Sequence, residues 1–99
     1  MTQEFELIDN TEKNRYEFHI GTEVPRVEYI KTRDKIYLTH TEVPPSLAGR
    51  GIGAKLIGLV LEDIKEKGLT LVPLCPFVAL YLQRNPHWKQ LVLKGIKIG

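Results

Sequence analysis

Three glycines within five residues, Gly49, Gly51 and Gly53, run straight into an apolar-periodic stretch that opens at Ile52. Glycine allows backbone angles closed to other residues and lets another group come close to the main chain. The first N–H groups of a helix lack intrahelical partners, and the helix dipole places positive potential at the same end. Arg50 and Lys55 add cationic charge there. The pattern predicts an anion seat for a phosphate or pyrophosphate, built from Gly49, Arg50, Gly51, Ile52, Gly53, Ala54 and Lys55. The competing reading is a flexible loop entering an ordinary helix. A P-loop is disfavoured, because Lys55 is followed by Leu56 where that loop needs Ser or Thr.

A second chemical candidate is His40. Free imidazole titrates near pH ~6.5, so His40 is able to act as a base at neutral pH. Strand alternation puts Leu38, His40 and Glu42 on one face, where Glu42 holds the imidazole or relays a proton through water. The competing reading is a structural histidine bonded to a neighbouring strand or loop. His19 has no partner evident in sequence and is expected to face solvent. His87 is expected at the surface and Trp88 in the core.

The elements that must position these groups follow from periodicity. Phe5 to Ile8 is a short strand candidate closed by Asp9-Asn10-Thr11. From Arg15 to Ile20, Tyr16, Phe18 and Ile20 alternate against Arg15, Glu17 and His19. Gly21-Thr22-Glu23 turns the chain. Val27 and Tyr29 alternate with Glu28 and Ile30 over 26–31. Thr32 to Lys35 forms a polar hairpin loop, and Ile36 to Val43 is a fourth strand rich in β-branched and aromatic residues. Such short connections imply an antiparallel meander. Pro44 and Pro45 cannot donate ladder hydrogen bonds, so the chain leaves the sheet there.

A helix is expected over 51–67, with Ile52, Leu56, Val60 and Ile64 at helical spacing. Asp63 and Lys67 form an i,i+4 pair, and Gly68 suits the C-terminal cap. Gly53 and Gly58 weaken this helix by roughly 1 kcal/mol each against alanine, a cost that makes sense if something packs closely on them. Leu69 to Leu74 suits a buried strand parallel to the one before the helix, with Pro73 acceptable where its neighbour diverges. Phe77 to Arg84 reads as a short second helix bounded by Pro76 and Asn85-Pro86. Trp88 to Leu93 returns as a last extended segment, and 94–99 is an edge or a frayed end. The fold class is α/β: an antiparallel β-meander, then a β-α-β unit with a parallel strand pair, then a short helix.

The bulk properties narrow the function classes. The chain has 99 residues, is 42% hydrophobic and 26% charged, and carries a net charge of +2, too little to argue for nucleic acid. The expectation is one domain over residues 1–99, with no leader and no membrane span, in the cytoplasm. The single cysteine, Cys75, excludes an internal disulfide and offers no zinc cluster, so no metal is expected.

Three separated motifs then carry a resemblance: His40-Thr-Glu-Val-Pro44, Gly49-Arg-Gly-Ile-Gly53 and Cys75-Pro-Phe77. In this order they resemble the GNAT superfamily of acyl-CoA N-acyltransferases, and within it the small single-domain GNAT-like family. The resemblance covers about residues 12 to 93. It implies a minimal GNAT-like fold with acetyl-CoA, or CoA, lying between the strand ending at Val43 and strand 69–74. The pantetheine arm would bond the main chain of Glu42, Val43 and Pro44 like an added strand. The pyrophosphate would rest on the N–H groups of 49–54, with Arg50 and Lys55 nearby. One departure stands out: Ala48 occupies a position where the family carries Arg or Gln. The helical pair that encloses the acceptor in larger members is also missing, which implies an open acceptor site.

The same resemblance suggests the chemistry. Acyl transfer to an amine needs a neutral nucleophile, oxyanion stabilisation and a proton for the departing thiolate. Leu80-Tyr81 followed by Asn85-Pro86 is similar in spacing to the segment whose tyrosine faces the CoA sulfur, which makes Tyr81 the candidate acid. A core-packed tyrosine is the alternative. Cys75, at the end of the flanking strand, is a candidate acyl carrier or CoA-disulfide partner, against the reading of a buried inert thiol. The expected function is N-acetyl transfer from acetyl-CoA to an unidentified amine, small molecule or protein, by a monomer or weak dimer. The alternative is a non-catalytic CoA- or acyl-CoA-binding sensor or interaction module.

Overall fold

A computed structural model describes residues 5–96. Among the described residues five strands form one sheet in the order β1-β2-β3-β4-β5. They are β1 (Ile8–Asn10), β2 (Arg15–Glu17), β3 (Arg26–Lys31), β4 (Lys35–Glu42) and β5 (Thr70–Pro73). The first four pair antiparallel as consecutive hairpins, and β5 joins β4 in parallel. Helix α1 (Ile52–Glu66) makes the crossover and α2 (Pro76–Arg84) follows β5. This is the α/β architecture that the periodicity and the resemblance imply.

The helices and one sheet face enclose the core. Tyr16, Val27, Tyr29, Ile36 and Leu38 from the sheet meet Leu56, Ile57, Val60, Leu61 and Ile64 of α1, with Val78 and Leu82 from α2. Burying each such side chain contributes roughly 1.5–3 kcal/mol, which explains why the apolar stripe of α1 survives Gly53 and Gly58. Gly68, at φ 68°, ends α1 in the left-handed conformation that a β-carbon disfavours.

Several local expectations need correction. The first strand lies at 8–10 rather than 5–8: Asp9 and Asn10 pair with Tyr16 and Arg15, and the turn moves to 11–14. Strand β2 stops at Glu17, beyond which a single bridge joins Ile20 to Glu23. Glu17 is not a solvated residue but the one charged side chain in the buried set among the described residues. Arg15 Nε, His19 Nε2 and Asn10 Nδ2 surround its carboxylate at 2.7, 2.7 and 3.3 Å. Burial pushes this carboxyl up, but the bonds from His19, Arg15 and Asn10 outweigh it and hold it below the usual carboxylate range. His19 is exposed as expected, yet it has Glu17 as partner. The last segment is a 3-10 helix over Pro86–Leu91, and only Val92 then bridges to Leu71. His87 is exposed and Trp88 packs half-buried against the core. Of the 94–99 tail, residues 97–99 lie outside the described residues, as do 1–4.

The most consequential departure is a bulge. Leu38 faces Tyr29 across the sheet, but His40 faces Glu28, so the register shifts between Glu28 and Tyr29 and Thr39 is the extra residue. Alternation therefore inverts along β4. Leu38 points to the helices, whereas His40 turns to the face away from them, where Glu28 and Arg15 lie in register. His40 and Leu38 do not share a face. Thr41, level with buried Val27, takes the helix side instead.

Candidate active site

The site is built where β4 ends. Pairing with β5 stops at Leu38–Pro73, and the Leu38 carbonyl accepts from both Leu74 N (3.1 Å) and Cys75 N (3.0 Å). Beyond that point, among the described residues, 40–42 pair with β3 alone. Pro73 thus sits at the last rung, where its missing N–H does no harm. The β5-side edge of this half of β4 remains available to an extended ligand.

Pro45–Leu47 then forms one 3-10 turn, closed by Leu47 N on the Pro44 carbonyl at 2.9 Å. Leu47 is buried and pins this turn to the core. Gly49 and Gly51 follow at φ 78° and 71°, with open space where their side chains would stand. Gly51 is the N-cap of α1, without a side-chain cap bond, and no acidic residue lies in the first turn. The first intrahelical bond runs from Lys55 N to the Gly51 carbonyl at 3.1 Å. The N–H groups of Ile52, Gly53 and Ala54 precede it and lack intrahelical partners. They open onto a groove of about 350 Å³ lined by Val43, Leu47, Ala48, Gly49, Gly51, Ile52, Gly53, Ala54 and Phe77. Donors, dipole and space converge at one point, as an anion seat requires.

The side chains expected beside this seat are placed differently from one another. Arg50 is exposed in the turn. Lys55 directs its ammonium over the Phe5 ring, 5.8 Å from the centroid. Val43 stands at the groove wall, and Pro44 opens the 3-10 turn.

The candidate catalytic groups fall in three places. His40 Nε2 lies 3.2 Å from Glu42 Oε1 on the open sheet face, the pairing expected from their spacing. Both side chains are about half exposed. Cys75 is buried on the helix side, and its thiol donates to Thr41 Oγ1 at 3.3 Å. Thr41 is a neighbour that sequence reasoning passed over, because the alternation without a bulge points it away from Cys75.

Tyr81 lies along α1, its hydroxyl 3.0 Å from where a β-carbon on Gly58 would be. Phe77 lies over Gly53 in the same way, so both helical glycines do answer to close packing. Burial raises the Tyr81 pKa, the Glu62 charge adds to this, and the Trp88 indole opposes it. The hydroxyl therefore holds its proton at neutral pH. The structure unites the glycine turn, Val43 and Phe77 in one groove and pairs His40 with Glu42. It leaves His40 and Tyr81 on opposite sides of the sheet.

Among the described residues no group of three or more His, Cys, Asp or Glu side chains is placed to hold a metal ion. No described helix is long and apolar enough to cross a membrane. No curated protein matches the chain. A family model described as GCN5-related N-acetyl-transferase matches residues 15–91, which span β2 through the last 3-10 helix and include every candidate site residue. By that match, and by a fold compatible with it, the chain belongs to the GCN5-related N-acetyltransferase family, whose members take acetyl-CoA as co-substrate.

Proposed function

We propose that this chain is an N-acetyltransferase that moves an acetyl group from acetyl-CoA to an amine, carried by a small molecule or a protein. The observation that supports this best is the uncapped start of α1 behind two left-handed glycines, opening onto a groove beside Val43. The N–H groups of 52–54 bind the diphosphate, and Arg50 adds charge from the turn. The free edge of 42–44 accepts the pantetheine amides as an added strand would. The amine nitrogen attacks the thioester carbonyl, the carbon–sulfur bond breaks and the thiolate is protonated. Tyr81 holds a proton suited to that last step. The His40–Glu42 pair takes the amine proton from the open face of the sheet. Cys75 serves as acyl carrier only if its buried thiol becomes exposed, and full activity of Cys75→Ala removes it from the mechanism.

One observation favours a second reading, a non-catalytic CoA-binding module: His40 and Tyr81 lie on opposite sides of the sheet. Calorimetric titration with acetyl-CoA and CoA tests both, on the wild type and on Gly51→Glu, followed by a thiol-release assay over a panel of amines. Binding lost in the variant, with thiol release, supports the transferase. Binding with no release under any amine supports the module. No binding to a folded wild type overturns both.

A further inference from the structure

Phe77 is among the large apolar side chains left exposed, at 42% of its surface. Its position is nevertheless specific. A β-carbon on Gly53 would fall 2.6 Å from Phe77 Cζ and 3.3 Å from Val43 Cγ2. The ring tip and Val43 therefore meet over the bare backbone of Gly53. That spot lies between the N–H groups at the start of α1 and the end of β4.

The ring also separates two hollows. One is the groove of about 350 Å³ at the glycine turn, walled by Val43, Ala54 and Phe77. The other, about 170 Å³, lies along α2 and is walled by the same Ala54 and Phe77 with Leu80, Tyr81 and Arg84. Phe77 is the second residue of α2, and the next residue, Val78, is fully buried. The backbone under the ring is thus anchored, and the ring itself is not. Phe77 is not among the side chains of the core cluster or those packed against it, and staggered χ1 wells offer such a ring other positions.

We infer that Phe77 is a gate on the CoA groove: its ring closes the passage from the groove shared by the glycine turn and Val43 to the hollow beside Tyr81, and must swing aside before the thiol end of a pantetheine arm passes through. This rests on the CoA reading above. A gate of this kind lowers apparent affinity by the fraction of molecules that stand open. Removing the ring removes that penalty, whereas removing an ordinary apolar wall would weaken binding through lost contact. The two roles therefore predict opposite signs.

The test is titration of coenzyme A into wild type, Phe77→Leu and Phe77→Ala, each checked for an unchanged fold by circular dichroism. The expected result is affinity rising from Phe to Leu to Ala, about tenfold across the series. Weaker or unchanged binding by Phe77→Ala overturns the gate and leaves the CoA reading standing. Absence of binding by all three folded proteins overturns the CoA reading and the gate with it.

Discussion

The two ends of α1 are opposites. The N-terminal end is a left-handed glycine cap with no side-chain bond, no acidic residue in its first turn and open space in front. The C-terminal end is enclosed by a polar cluster. Tyr16 Oη donates to Asp63 Oδ2 at 2.7 Å, and Tyr29 Oη donates to Asp9 Oδ1 at 2.6 Å. Lys67 Nζ bridges the two carboxylates at 2.7 and 3.0 Å and lies 5.7 Å from the centre of the Tyr16 ring. This cluster ties β1, β2 and β3 to the helix.

Burial and the neighbouring acids raise both tyrosines, so they remain protonated donors. Burial opposes ionisation of Asp63 and Lys67, but their mutual bonds win, lowering the one pKa and raising the other. One helix thus has an end tied into a polar cluster and an end whose first N–H groups lack intrahelical partners and face a groove.

That contrast can be broken from either side. The largest effect is expected for Gly51→Glu, which puts a carboxylate and a strained left-handed residue into the proposed anion seat. CoA binding should fall at least about a hundredfold by calorimetry, while the strain costs only roughly 1–2 kcal/mol. Unchanged binding would end the case for the seat.

Asp63→Ala is the mirror experiment. It leaves the buried Tyr16 hydroxyl without its acceptor and should cost about 1–3 kcal/mol in chemical denaturation. CoA affinity should remain within about twofold, and a parallel loss of binding would show that the ends are coupled.

The pH dependence of thermal stability tests the C-terminal cluster further, together with the buried carboxylate of Glu17. Glu17 and Asp63 are lowered on folding, so their contributions exist above the ordinary values of 4.5 and 3.8 and fade as pH falls through the lowered ones. Tyr16, Tyr29 and Lys67 are raised, so theirs are complete below 10.0 and 10.5 and fade as pH climbs above those values. We expect a plateau between these limits. Tyr16→Phe should have a shallower alkaline fall than wild type from about pH 10, and an identical fall would remove Tyr16 from the account.

The smallest effect is expected for Gly68→Ala. Nothing stands within 4 Å of the added methyl, so only the left-handed backbone resists it, at roughly 1 kcal/mol. A much larger loss would mean that this end of the helix is more tightly determined than its contacts imply.

What was legible beforehand depended on local physics. Helix α1, its glycine cap, the proline exit from β4 and the parallel strand after the crossover are set by side-chain period and backbone restriction, and each appears at or near its expected place. The close packing on Gly53 and Gly58 was legible as a cost needing a partner, though not as Phe77 and Tyr81. The left-handed glycines and the uncapped start of α1 were legible too, because these donors belong to consecutive residues.

The orientation of His40 was beyond that reach. A period of two assumes an unbroken ladder, and the extra residue at Thr39 exists only in the register between β3 and β4. Glu17 is buried because Asn10, Arg15 and His19 converge on it from two strands and the segment beyond, a convergence that alternation cannot express. By itself the sequence determined the order of the strands β1 to β5 and of helices α1 and α2, the apolar stripe that folds α1 onto the sheet and the run of backbone donors at its start, since all three depend on neighbours in the chain. The tertiary structure alone decided which face His40 and Thr41 take, that Cys75 meets Thr41, and that Phe77 lies across Gly53, because these contacts join residues whose relative placement is set by cross-strand register and helix packing.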